Sequence, residues 1–228
     1  MLSLALLILL TMNKVLDVFV YQIPLARSDK FSLKNINNNL PSTNAKNEFS
    51  AGLYFCSLIL RNDFSILINK YFFNVNGKPM LESGKFGFSI SYTDNYVYIA
   101  IVRDDVVGID AEQVNSIDIN VSEEFMSKRE LIKLKEVQNK YKYFYKIWTL
   151  KESYLKLIGK GIDDTITNIE LVEDEDGRFS LCIDPARRTY FSNFTLKDCT
   201  ISVASFNQVN CKVINFENTK EFLEKYEN

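Results

Sequence analysis

Asp110 and Glu112 stand two apart in the run Val106-Val-Gly-Ile-Asp-Ala-Glu112, whose β-branched residues predict a strand. Side chains two apart on a strand point the same way, with Cα atoms roughly 7 Å apart. Two carboxylates converging in that manner suit a hard divalent cation such as Mg²⁺, which takes oxygen ligands. Further along, Trp148-Thr-Leu-Lys-Glu-Ser-Tyr-Leu-Lys156 reads as a helix. Four-residue steps place Trp148, Glu152 and Lys156 on one of its faces. A third carboxylate beside an ammonium completes, in outline, a metal-assisted site for phosphoryl transfer.

Other chemistries are closed by composition. The chain has no histidine, which removes Ser-His-Asp and Cys-His triads, histidine-bound zinc and imidazole bases together. A proton acceptor must then be a carboxylate or a metal-bound water. Cys56, Cys182, Cys199 and Cys211 form no C-x-x-C pair, which fits buried thiols in a reducing, cytoplasmic compartment. The formal charge of −2 provides no global positive field for a nucleic-acid backbone, so any anion site must be built locally.

The elements that would position these residues follow from periodicity. With 228 residues, 46% of them hydrophobic, the chain has material for one large or two small domains. Val15 to Ile23 predicts a strand, and Ser28 to Asn47 a polar loop. Glu48 to Arg61 predicts a helix with an apolar face through Leu53, Phe55, Leu58 and Leu60. Strands are expected at 86–90 and 96–102, joined at Thr93-Asp-Asn95. A second cycle then begins, with a strand at 106–112, helices at 123–136 and 140–159, and strands at 169–172, 179–183 and 199–206. The pattern alone indicates α+β with antiparallel strands.

The opening stretch Leu2 to Leu10 is apolar, yet no positive charge follows Met1 and nine residues are too few to cross a bilayer. Met12 is the expected biological start, residues 1–11 being an upstream extension; a signal peptide or anchor is the alternative.

The two motifs occur together and in this order, and so the chain resembles the Sfp-type 4′-phosphopantetheinyl transferases. That family joins a G-[IV]-D-x-E strand to a W-x-x-K-E-[SA]-x-x-K helix. Asn76-Gly-Lys-Pro79 is similar to the family's G-K-P turn, and Phe86-Gly-Phe-Ser-Ile-Ser91 to its F-N-x-S-H-S strand. Phe125-Met-Ser-Lys-Arg-Glu130 is similar to F-[SA]-x-x-E, and Gly159-Lys-Gly-Ile162 to the G-x-G-[LI] that closes the long helix.

The resemblance implies two similar α/β halves about a pseudo-twofold axis, each a small antiparallel sheet on helices, with the site between them. Residues 12–104 would form the first half and 105–228 the second. It implies transfer of the phosphopantetheine arm of coenzyme A to a serine of an apo-acyl or peptidyl carrier protein, releasing 3′,5′-ADP. Asp110, Glu112 and Glu152 would hold Mg²⁺, with Glu152 also taking the serine proton and Lys156 neutralising phosphate. Coenzyme A would meet Lys78, Pro79, Ser89, Ile90, Lys151 and Lys156. Phe125, Met126, Lys128 and Arg129 would dock the carrier. A monomer that binds neither membrane nor nucleic acid is expected. The rival reading is a non-catalytic relative that binds coenzyme A or a carrier protein, and the retained acids and Lys156 favour the enzyme.

Two positions depart from the family pattern. Ile90 stands for a histidine that donates to phosphate, and Gly52 falls where a basic residue belongs. Lys78 and Lys151 are the expected replacements at the pyrophosphate; Lys30, Lys34 and Lys46 are candidates for the missing helix cation.

Overall fold

The computed structural model describes residues 15–25, 46–68, 71–161, 164–181 and 188–227; for residues 46–50 and 164–165 it describes the backbone alone. Lys30, Lys34, Cys182, Ile162, the side chain of Lys46 and the start at Met12 lie outside the described residues.

Two sheets stand on a shared apolar layer. The first is built from β1 (Val15–Pro24), β4 (Phe86–Tyr92), β5 (Tyr96–Arg103) and β11 (Gln208–Asn215), in the order β11-β1-β5-β4. The second is built from β6 (Gly108–Gln113), β9 (Tyr190–Leu196) and β10 (Cys199–Ser205), in the order β6-β10-β9. Short hairpins β2 (Tyr71–Phe73) with β3 (Pro79–Leu81), and β7 (Leu171–Glu173) with β8 (Phe179–Leu181), flank them. The α+β class expected from the sequence holds. One pairing departs from it: β11 runs parallel to β1, so the first sheet is mixed. The last strand thereby covers an edge of β1 that would otherwise expose unpaired amides.

Alternation along the strands explains the layers. Leu16, Val18 and Val20 of β1 and Tyr98, Ala100 and Val102 of β5 meet Ile109, Ala111, Ile201 and Val203 of the second sheet in one buried cluster. The opposite face of the first sheet packs Tyr21, Ile23, Phe88 and Ile99 against α1 (Lys46–Phe64), whose Leu53, Phe55, Ile59 and Leu60 are buried. That core also takes Phe216, Phe222 and Tyr226 from the chain's end, the last two on α4 (Thr219–Tyr226). Residues from beyond 205 thus complete a sheet and a core begun before residue 104. Among the described residues, no helix is long and apolar enough to cross a membrane.

The long helix expected from 123 is broken. A 3₁₀ stretch, Ile119–Glu124, precedes α2 (Lys128–Glu136), and Ser127 caps the latter. Ser127 and Glu130 form a reciprocal capping box, in which each side chain satisfies a helix-end or pre-helix amide. α3 (Lys140–Ile158) starts at Asn139, whose side chain accepts from the Lys142 amide, and stops at Gly159 in the left-handed region, φ 67°. α3 packs on β6 and β10.

Candidate active site

β6 and α3 bring the acids together because residue 108 is glycine. A Cβ there would lie 1.9 Å from the Ser153 carbonyl oxygen and 2.5 Å from the Leu157 nitrogen. Only a residue without a side chain admits so close a helix–strand approach. Asp110 then faces the helix. Its Oδ1 accepts from Lys156 Nζ at 2.7 Å and from Ser91 Oγ at 2.9 Å. Lys156 Nζ also donates to Ser91 Oγ at 3.0 Å.

The other carboxyls are held less completely. Glu112 Oε1 accepts from the Trp148 indole nitrogen at 3.2 Å. Burial, then repulsion from Asp110, pushes the Glu112 carboxyl up to about 7. The same two causes push Glu152 to about 7. Glu152 Oε1 and Asp110 Oδ2 are buried without a hydrogen-bond partner, and a buried unpaired polar atom is costly. Three acids crowd a region where two oxygens lack partners.

The expected metal set is not assembled at ligand spacing: among the described residues, no three histidine, cysteine or acidic side chains stand so as to hold a metal ion. The physical reason is Lys156, whose ammonium already sits on Asp110, while Trp148 tethers Glu112. The donor types still fit a hard cation, since the unpartnered atoms are carboxylate oxygens and the crowding of acids is what a cation relieves.

β4 joins β6 through side chains. Ser89 Oγ accepts from the Ile109 amide at 3.1 Å and Ser91 Oγ from the Ala111 amide at 3.2 Å. Ser91 was not singled out by sequence; its place two residues from Ser89 on one strand face was the available signal. Trp148 packs on Phe125 and also orients Glu112.

A cleft of about 260 Å³ opens beside this centre, lined by Lys78, Pro79, Ser89, Ile90, Glu152 and Lys156 together with Phe88, Tyr92 and residues 159–161. Five of the six residues expected at coenzyme A therefore border one space. Lys151 does not. It is 0% exposed, with Nζ 2.7 Å from Glu130 Oε2 and 2.7 Å from the Phe125 carbonyl. Burial pushes its ammonium down, against the pull of Glu130. Its expected role at phosphate is corrected: it points into the core on the other side of α3.

Lys78 also differs from expectation in its engagement. Its Nζ donates to the carbonyls of Lys156 at 2.6 Å, Val107 at 3.2 Å and Leu157 at 3.4 Å. Asn74 and Asn76 donate to the Gly159 carbonyl at 2.7 and 2.8 Å. The β2–β3 turn thus caps the orphan carbonyls at the end of α3. Burial pushes the Lys78 ammonium down to about 8. Neither lysine expected to replace the missing histidine presents an uncommitted ammonium.

Phe125 and Met126, expected to dock a partner, are 4% and 2% exposed and belong to the core around α3. Phe125 packs edge-on against Phe144 and Trp148 of α3. Lys128 and Arg129 are exposed, Arg129 lying 3.6 Å from Glu170.

Comparison with known proteins adds to this geometry. Residues 106–211 match the model of the 4′-phosphopantetheinyl transferase superfamily. The 4′-phosphopantetheinyl transferase psf-1 of Bacillus pumilus is 34% identical over 109 residues, 46% of this chain and 46% of its own length. The 4′-phosphopantetheinyl transferase gsp of Aneurinibacillus migulanus is 41% identical over 91 residues, 39% of this chain and 38% of its own. The matches thus span less than half the length of these relatives. A holo-(acyl-carrier-protein) synthase of Bacillus anthracis, solved in complex with CoA (3′,5′-ADP), superposes with a TM-score of 0.40 at 21% identity, over 43% of this chain and 92% of that one. The resemblance read from the motifs is borne out over the matched residues.

Proposed function

We propose that the protein transfers the 4′-phosphopantetheine arm of coenzyme A to a serine of an apo-acyl or peptidyl carrier protein, releasing 3′,5′-ADP. The observation that carries this reading is that Glu152 and Lys156, the latter paired with the buried Asp110 behind it, line a cleft whose other wall is the Lys78-Pro79 turn. The match of residues 106–211 to the transferase superfamily supports it. The cleft's lining is drawn from residues 76–92 and 152–161, which supports, as part of the same proposal, a site between halves 12–104 and 105–228.

The carrier serine oxygen attacks the phosphorus that bears the pantetheine arm, and the bond from that phosphorus to the bridging oxygen breaks. The arm moves to the serine and the bridging oxygen leaves on 3′,5′-ADP. The serine proton passes to Glu152, whose unpartnered Oε1 and carboxyl pushed to about 7 suit a base at neutral pH. Lys156 neutralises charge on phosphate oxygens. Asp110, Glu112 and Glu152 would hold Mg²⁺, which when bound offsets the charge of the pyrophosphate. The Lys78–Asn74–Asn76 cap fixes the end of α3, and with it the direction of Lys156. The enzyme works as a cytoplasmic monomer.

The test is incubation with coenzyme A, Mg²⁺ and a panel of apo-carrier proteins, with the mass of each carrier read by mass spectrometry. The expected result is a phosphopantetheine mass gain on at least one carrier. Glu152→Gln should lose it by about 10²–10³-fold in rate, the size of one removed electrostatic or proton-transfer contribution, while keeping its circular dichroism spectrum. No gain on any carrier would overturn the reading and leave the non-catalytic alternative. Near wild-type turnover in Glu152→Gln would overturn the assigned roles.

A further inference from the structure

Gly52 stands inside α1, where glycine is a costly choice for a helix relative to alanine. The structure supplies the reason. A Cβ at residue 52 would lie 2.2 Å from the Tyr92 hydroxyl and 3.0 Å from Ile90 Cγ2. The missing side chain makes a notch, and the end of Tyr92 rests in it. The same tyrosine lines the cleft.

Alternation along β4 gives that cleft two unlike ends. Ser89 and Ser91 face β6, where they meet backbone amides, Asp110 and Lys156. Ile90 and Tyr92 face the other way and pack against the core formed with α1. One end is therefore ionic and the other an apolar wall with an aromatic residue seated against a helix. With the donor's phosphates at the ionic end, a flat heterocycle is a group that such a wall can hold. Every nucleobase has a π-face, and stacking on a fixed aromatic ring is a general way to hold one.

Resting on the donor assignment above, we propose that Tyr92 is a specificity-determining residue whose ring seats the base of the donor nucleotide, with Gly52 as the positioning residue that makes room for it. Any side chain at residue 52 would have to displace the end of Tyr92, and glycine itself supplies no cation to the wall; stacking takes the place of charge there.

The proposal is tested by steady-state transfer from coenzyme A and by calorimetry of 3′,5′-ADP on wild type, Tyr92→Leu, Tyr92→Phe and Gly52→Ala. Tyr92→Leu keeps apolar bulk and removes the π-face. It should raise the coenzyme A KM about tenfold, within the range of one base–aromatic stack, and weaken 3′,5′-ADP binding by a similar factor. The carrier KM should stay within about twofold on the same scale. Tyr92→Phe keeps the ring and should recover most of the loss. Gly52→Ala, whose new methyl collides with the tyrosine, should move both readouts in the same direction by a smaller factor. A merely structural tyrosine predicts a lower melting temperature with coenzyme A KM and 3′,5′-ADP affinity unchanged, and that result overturns the proposal. If wild type transfers nothing, the donor assignment fails by itself. Calorimetry then still decides the base seat: equal 3′,5′-ADP affinity in wild type and Tyr92→Leu refutes it.

Discussion

Lys151 and Lys156 lie on the same helix, and each places its ammonium 2.7 Å from a carboxylate. Their surroundings differ. Around Lys151 every partner is provided for: Glu130 Oε2 also accepts from the Ser127 amide at 2.8 Å, and its Oε1 from the Leu171 amide at 2.9 Å. The ammonium adds bonds to the carbonyls of Phe125 and Ile166. One buried ion pair thereby ties the start of α2, α3, the 3₁₀ turn Asp164–Asn168 and β7 together. Around Lys156 the account is incomplete, since Asp110 Oδ2 and Glu152 Oε1 lack partners. A satisfied pair has nothing left to offer a ligand; an unsatisfied one of the same length does. Charge on a helix therefore separates into structure and chemistry by what surrounds it, not by residue type.

Breaking the satisfied pair should have the largest effect on stability. Lys151→Ala leaves Glu130 buried without its counter-ion, and removal of one partner from a buried pair costs roughly 3–5 kcal/mol. Urea denaturation should show that loss, or leave no folded protein at all. Lys151→Met with Glu130→Gln should recover part of it, because neither replacement is charged. A loss under about 1 kcal/mol for Lys151→Ala would place Lys151 among the surface-like pairs and dissolve the contrast.

The unsatisfied pair should respond to pH and cation instead. Glu112 and Glu152 are raised from the ordinary 4.5 to about 7 in the folded protein. A carboxyl raised in this way contributes stability that is present below its unfolded value and lost as pH rises through the folded one. The melting temperature without divalent cation should therefore fall between about pH 5 and pH 8. Added Mg²⁺ should restore it most at the high end, because it binds the ionised acids. A melting temperature that is flat across this window, with and without Mg²⁺, would show that Lys156 alone satisfies the cluster.

The sequence separates these regions only in part. Strand spacing placed Asp110 and Glu112, and four-residue steps placed Glu152 and Lys156, since both are local rules. Lys151 defeated the same reading for a geometric reason. At about 100° per residue it lies roughly 140° around the helix from Lys156, and its partner Glu130 comes from another helix. Glu130 itself was legible as the end of a family segment, but its capping-box role with Ser127 depends on where α2 begins. The pairing of β11 with β1 was beyond reach as well. Val15 and Gln208 are opposite one another in that ladder, and no local pattern announces a partner so distant in the chain. The seat of Tyr92 against Gly52 has no local signature either, since it depends on a side chain absent from another element.

The smallest expected effect concerns the outer face of α2, where inward and outward residues follow one another directly. Glu130 turns in to Lys151, whereas Lys128 and Arg129 are exposed and Arg129 lies 3.6 Å from Glu170. Exposed pairs of that kind contribute little to stability, so Lys128→Glu with Arg129→Glu should leave the urea midpoint nearly unchanged. Carrier proteins of the type proposed are acidic, and rim charges act chiefly on encounter rate and its salt dependence. The double reversal should raise the carrier KM a few-fold, leave the coenzyme A KM unaltered, and flatten the salt dependence of carrier modification. Phe125 and Met126 are not part of this surface, so their truncation should register in stability rather than in carrier KM. An equal rise in both KM values would move the docking face away from α2 and leave its lysine and arginine as solvated charges.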